Sequence, residues 1–272
     1  MSIEFLIPIN ESHAIQSVVF ALEWQGQLSD NALTEVENLA QALKPHFPVS
    51  AVQKMHMFKL HATPDSAFPN QQFGEEQVHG VTFQRIGKFG TVVSQLNVTR
   101  SNCIVLLNTY ERWKPTLEAV MRYFKIVLPV ILKEKSISNV ALQYEDVFTW
   151  KDDASKLVLS EVFRNDSPYL APNIFGQQGL WHCHHGYIIE SLGDIQGKCL
   201  DNINVSLVDN QNDREIRIST THQVTLSTPL RMATKDYLQS IEKVQNILHD
   251  HNKEVLGGLL TKEVCDKIKL GG

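Results

Sequence analysis

The chain has 272 residues, 43% hydrophobic and 20% charged, the balance of a globular protein able to bury a core, which excludes extended disorder and a small disulfide scaffold. Lys and Arg total 25 against 30 Asp and Glu, a net charge of −5, so the basic excess that sequence-independent nucleic-acid binding draws on is missing and nucleic acid is not the favoured partner. The length allows one large domain or two small ones.

Cys103, Cys183, Cys199 and Cys265 include no Cys-x-x-Cys pair, which fits reduced thiols in a cytoplasmic protein. The N-terminus lacks the basic region and apolar stretch of an export signal. The longest apolar tract, Ile126 to Leu132, contains Pro129 and falls far short of the ~20 residues that cross a bilayer, so no membrane is expected as a partner.

In chain order, Ala14 to Trp24 reads as a strand ended by Gln25-Gly26. A helix follows, capped by Ser29 or Asp30, with Leu33, Val36, Ala40 and Leu43 on one face and Pro45 and Pro48 as its stop. Val52 to Ala62 is a second strand, and Pro64 to Glu76, with two prolines and a glycine, an exposed loop. Gly80 to Ile86, Thr91 to Thr99 and Cys103 to Leu107 are spaced as an antiparallel meander. The clearest helix runs from about Tyr110 to Lys133, with Leu117, Val120, Met121, Phe124, Leu128 and Leu132 as its apolar stripe. Ala141 to Trp150 and Leu157 to Phe163 look extended, and the polar run between them, Lys151 to Ser155, marks a boundary.

Beyond it, Pro168 to Gly179 is irregular or briefly helical. Leu180 to Ile189, Asn202 to Val208 and Glu215 to Leu226 are strands, with 210–213 as a turn. A second long helix, capped by Thr234, carries the stripe Tyr237, Ile241, Val244 and Leu248, and Thr261 begins a short final helix. The order strand, helix, strands, helix occurs twice. It predicts an α+β protein of two lobes, 1–150 and 151–272, each an antiparallel sheet with a long helix packed on one face, as in a degenerate duplication.

Val93 to Thr99, then Ile104-Val105-Leu106-Leu107-Asn108, then Tyr110-Glu111-Arg112-Trp113 opening a long helix form one distinctive stretch. The closing run Leu248 to Leu256 with Leu259 to Glu263, and the early Pro8-Ile9, form others. Together they resemble a sporadically distributed family of uncharacterised prokaryotic proteins. The resemblance implies a two-part α+β protein of no assigned activity, and a patchy distribution like that of genes in phage-defence or mobile-element loci. Gln143-Tyr144-Glu145-Asp146 departs from the family's Tyr-Ile-Asn-like strand, so no role of that Asn carries over.

Trp181-His182-Cys183-His184-His185-Gly186 gathers three of the eleven histidines and one of the four cysteines. On a strand, His182 and His184 share a face, and imidazoles at i and i+2 can chelate Zn²⁺ if distant segments add ligands, with His222 and Asp209 available. The plain alternative is a half-exposed strand whose histidines meet solvent. Tyr110 and Trp113, three apart at a helix start, can form a partner-binding or core cluster. His249 and His251 diverge by roughly 200° on a helix and read as a solvated helix end. No nucleophile elbow, phosphate loop, dinucleotide fingerprint or His-Glu-x-x-His helix is present.

These observations lead to a non-enzymatic binding or assembly protein, acting with a protein partner or as a homodimer through exposed strand edges. The contrasting expectation is a metal-dependent hydrolase or nuclease using Zn at His182 and His184.

Overall fold

The computed structural model describes residues 3–10, 12–61, 70–177, 179–210 and 213–271. Its centre is a single ten-stranded antiparallel sheet, built from β1 (Leu6–Pro8), β2 (Ile15–Trp24), β3 (Val49–His61), β4 (Asn70–Ile86), β5 (Val92–Thr99), β6 (Asn102–Leu107), β7 (Ile137–Trp150), β8 (Trp181–Ile189), β9 (Gly197–Asn210) and β10 (Asp213–Leu230). The strand order is β3-β4-β5-β6-β2-β7-β10-β9-β8, with β1 beside the end of β7. β7 pairs with β2 on one side and β10 on the other, so the strands of 1–150 and 151–272 join in one sheet.

On the helices, the Ser29 hydroxyl accepts the Ala32 amide at 3.1 Å and starts α1 (Asp30–Glu37), and α2 (Ala40–Leu43) continues it after a break at Asn38 and Leu39. The two long helices are α3 (Trp113–Ile131) and α5 (Tyr237–Leu259), with α4 (Leu159–Val162) and α6 (Lys262–Lys267) as short turns. Alternation in β2 and β9 buries every second side chain under the helices and leaves the others partly exposed. The outer face is polar where it can be: Glu23 accepts from Asn139 at 2.9 Å and from Gln223 at 2.8 Å across three strands.

Two cores lie under the helices. One gathers β2, β4–β6, α1 and α3 around Phe20, Phe83 and Phe124, and the other gathers the end of β7, β9, β10, α4 and α6 around Phe148 and Phe163. α5 spans both, with Ile241, Val244 and Leu248 in the first and Val255, Leu256 and Leu259 in the second. Burying each such side chain contributes about 1.5–3 kcal/mol, so α5 clamps the two halves of the sheet.

Four expectations need correction. The loop over Pro64 to Glu76 is strand from Asn70 onward, because β3 and β4 form a ladder out to the His61–Asn70 pair that needs only backbone groups; residues 62–69 lie outside the described set. Leu157 to Phe163 is not extended. Leu159, Val162 and Phe163 are buried at helical spacing, and the Phe163 amide bonds the Leu159 carbonyl at 2.8 Å. Thr234 does not cap α5; its hydroxyl accepts the Arg231 amide at 2.8 Å in a preceding turn, and left-handed Asp236 opens the helix. The helix expected from Tyr110 begins at Trp113, leaving Tyr110 in the connection after β6.

Candidate functional site

α5 has polar residues at core positions. Its buried side carries Gln245, His249, His251 and Asn252 between the apolar residues of the two cores. His249, 7% exposed, accepts or shares a proton with the Tyr144 hydroxyl at 2.8 Å and stacks on Trp113 with centroids 4.1 Å apart. The other face of Trp113 stacks on Phe20, and its Nε1 donates to Asn246 at 2.7 Å. Burial, then the charge of Lys253, push the His249 imidazole down to about 4, so it is neutral at physiological pH. The solvated helix end expected for His249 and His251 is therefore overturned: the imidazoles do diverge, but each meets a protein surface.

Beside this stack is a cavity of about 110 Å³ between the segment before β2, the connection after β6, β7, α5 and the chain after α6. Its lining includes His13, Tyr110, Trp113, Tyr144 and Asp146. Tyr110 packs edge-on to both His13 and Tyr144. Trp113 has both ring faces covered and supports the wall, whereas Tyr110 is the freer of the two aromatics.

Asp146 is the chemically unusual member. It projects from β7 on the same face as Tyr144, is 2% exposed, and its Oδ2 has no hydrogen-bond partner. Burial, then the charge of Glu145, push its carboxyl up to about 7. Burial, with the Asp146 charge adding and Arg112 opposing, pushes the Tyr110 phenol up to about 12. A buried acceptor without a partner costs about 1–3 kcal/mol, a cost that a water, an ion or a ligand donor at the site would offset.

Behind the cavity, Asn252 leads to a second group. Its side-chain oxygen accepts from Thr220 at 2.6 Å and lies 3.0 Å from His222 Nε2. His222 Nδ1 is 2.8 Å from Asp201 Oδ1, and His251 Nε2 is 2.6 Å from Asp201 Oδ2. The β9–β10 register sets Asp201 directly opposite His222, and α5 delivers His251 from above. Burial by itself raises the Asp201 carboxyl, but hydrogen bonds from both histidines, with their charge, outweigh it and hold the group well below the usual carboxylate range. Burial likewise opposes a charge on His251, yet its hydrogen bond to Asp201 and the charges of Asp201 and Glu254 raise its pKa.

Among the described residues, Asp201, His222 and His251 are the one group of His, Cys, Asp or Glu whose ligand atoms lie within 4.8 Å of one another. Two imidazoles and a carboxylate suit a borderline cation such as Zn²⁺, and Asn252 is placed as the outer hydrogen-bond partner that orients a metal-bound histidine. The donor types suit the ion, but the imidazoles bond the Asp201 carboxylate directly at 2.8 and 2.6 Å, so an ion at this group would take the place of those bonds. Cys199 donates to Asp201 at 3.4 Å, but burial first and then Asp201 raise its thiol pKa, so it is no ready nucleophile.

His182 and His184 lie elsewhere. β8 is an edge strand, and both point to the face opposite α5, exposed, with His184 Nδ1 at 2.5 Å from Asn204. Neither belongs to the Asp201 group. Asp209 bonds Arg214 at 3.1 Å near the strand end, while His222 is in the group. Asp146, Asp201 and Asn252 are not singled out by the sequence, and His251 reads there as part of a solvated helix end. The available signal was the interruption of the α5 stripe by polar residues at core spacing.

Compared with known proteins, the chain matches no family model and no curated sequence.

Proposed function

We propose that this chain is a non-enzymatic binding protein that takes a small polar ligand into the cavity beside Tyr110, Trp113 and Asp146. The observation that carries the reading is Asp146, a buried residue of the cavity lining whose Oδ2 makes no hydrogen bond. Ligand binding then bears on assembly, because α5 both lines the cavity and ties the halves of the sheet. The four cysteines form no disulfide, in keeping with a cytoplasmic role, and the family resemblance supports a place in a phage-defence or mobile-element locus with a protein partner or a second copy. Segments 1–150 and 151–272 each supply strands and one long helix, which supports their origin as a degenerate duplication.

Saturation-transfer NMR with a library of small water-soluble fragments tests the reading. Fragments that bind wild type and lose binding in Ser12→Trp, which fills the cavity mouth, are expected. Absence of any such fragment refutes the cavity as a binding site.

A second reading is metal binding, favoured by the geometry of Asp201, His222 and His251. It moves the metal reading away from His182 and His184, and the burial of the group suits a structural ion better than hydrolysis. Elemental analysis of untagged protein is expected to find about one equivalent of Zn, lost in Asp201→Ala and kept in the double variant His182→Ala, His184→Ala.

A further inference from the structure

The charges around the cavity are not evenly spread. Its inner wall has the buried carboxyl of Asp146, which makes no ion pair among the described residues. Its lining also includes Arg112, Lys253 and Lys269, and none of the three makes an ion pair or side-chain hydrogen bond among the described residues. Arg112 and Lys269 are exposed and Lys253 half-buried, which puts the positive charge toward solvent. Glu111, also exposed, is the one acidic residue besides Asp146 among the described lining residues.

This lining selects by charge. A simple cation suits Asp146 but passes three positive groups that have no ion-pair partner among the described residues. A simple anion suits those groups but meets a carboxylate within. A molecule with a positive end and a negative end satisfies both, and like-charge juxtaposition rejects it in the reverse orientation. Size sets a second limit. A water-sized site needs roughly 10–15 Å³ of such space, so the cavity of about 110 Å³ holds on the order of eight non-hydrogen atoms. Ile15, Leu256, Ile268 and Leu270 in the lining give the remainder an aliphatic surface.

We infer that the cavity binds a small aliphatic α-amino acid, with its ammonium group on Asp146 and its carboxylate toward Arg112, Lys253 and Lys269. The inference rests on the cavity being a binding site. The ammonium supplies a charged donor to the Asp146 carboxyl, which lines the cavity and makes no ion pair among the described residues, and a charge-assisted bond at this depth is stronger than one in water. A carboxylate reaching exposed Arg and Lys side chains gains less, and mainly fixes direction.

Titration calorimetry with three probes tests it: L-leucine, N-acetyl-L-leucine, which keeps the carboxylate but loses the ammonium, and isoamylamine, which keeps the ammonium but loses the carboxylate. L-leucine is expected to bind, N-acetyl-L-leucine at least tenfold more weakly, and isoamylamine a few-fold more weakly. Asp146→Asn, with a melting transition no lower than that of wild type as the check on folding, is expected to lose at least tenfold for L-leucine and to leave N-acetyl-L-leucine unaffected. Equal binding of L-leucine and its acetyl derivative overturns the assignment. So does failure of L-leucine alongside fragments that bind in a Ser12→Trp-sensitive way, a result under which the cavity remains a binding site. Failure of every fragment removes both.

Discussion

Helices α3 and α5 lie on the same sheet face and touch each other, yet they bury opposite chemistry. The underside of α3 is mainly apolar, with Leu117, Val120, Phe124, Val127, Leu128 and Ile131 packed into one core. α5 interleaves Gln245, His249, His251 and Asn252 with its apolar residues. Four buried side-chain atoms make no hydrogen bond among the described residues, and three of them, on Asp146, Gln245 and His251, lie on α5 or the strand under it, His251 Nδ1 having only Glu254 at 3.7 Å. Close packing under α3 yields stability. The seam under α5 gives up part of that stability to hold polar groups in fixed positions, which is what a binding site requires.

The contrast is sharpest in a cavity-forming substitution. Phe124→Ala is expected to cost about 4 kcal/mol in chemical denaturation, with ligand affinity unchanged in the fraction that remains folded. Asp201→Ala tests the seam: removing the carboxylate leaves His222 and His251 facing each other without their shared partner, and a loss of about 3 kcal/mol is expected. If Asp201→Ala proves as mild as a surface change, the polar group does not clamp α5.

Asp146 predicts the opposite sign. Its carboxyl is pushed up to about 7 from the ordinary 3.8, so the folded state holds this proton more tightly than the unfolded chain. Its contribution is most favourable at low pH, declines as pH rises between about 4 and 7, and is flat above that. Asp146→Asn removes this decline, and relative to wild type the variant is expected to gain on the order of 2 kcal/mol at pH 8. A wild-type and variant stability difference that does not change with pH counts against a buried, uncompensated carboxyl.

Smaller effects mark the edges of the comparison. Trp113→Phe keeps the ring between Phe20 and His249 but loses the bond to Asn246, an expected cost of about 1 kcal/mol in thermal unfolding. The double change His182→Ala, His184→Ala, on the exposed face of β8, is expected to alter stability by less than about 0.5 kcal/mol. A larger loss there would show that the outer strand carries more than solvent-facing side chains.

Local rules explain how much could be read in advance. The meander of β4, β5 and β6 follows from short apolar runs separated by turn residues, and α3 from a stripe at spacings of three and four, so both are legible without tertiary information. Ser29 as a cap is legible for the same reason: the capping bond it accepts comes from Ala32, three residues on, whereas its bonds to Glu134 belong to the tertiary structure. Leu157 to Phe163 is ambiguous at this level, since a short apolar run suits a strand or a helical turn equally, and the contact with α6 and α5 in the second core decides it.

Composition and periodicity alone specify the α+β class, most strands and both long helices. The sequence also offers the 181–186 histidine cluster, His222, Asp209 and the His249–His251 pair without saying which meet. Only the tertiary structure decided that His182 and His184, adjacent in sequence, face outward, while Asp201, His222 and His251, spread over 50 residues, converge. Strand periodicity assigns a side chain to one of two faces, but which face is buried, and what lies opposite, depends on register between strands and on where α5 lands. Asp146 is the clearest case: within its strand it is one polar residue among several, and its isolation exists only because β2, β10 and α5 close around it.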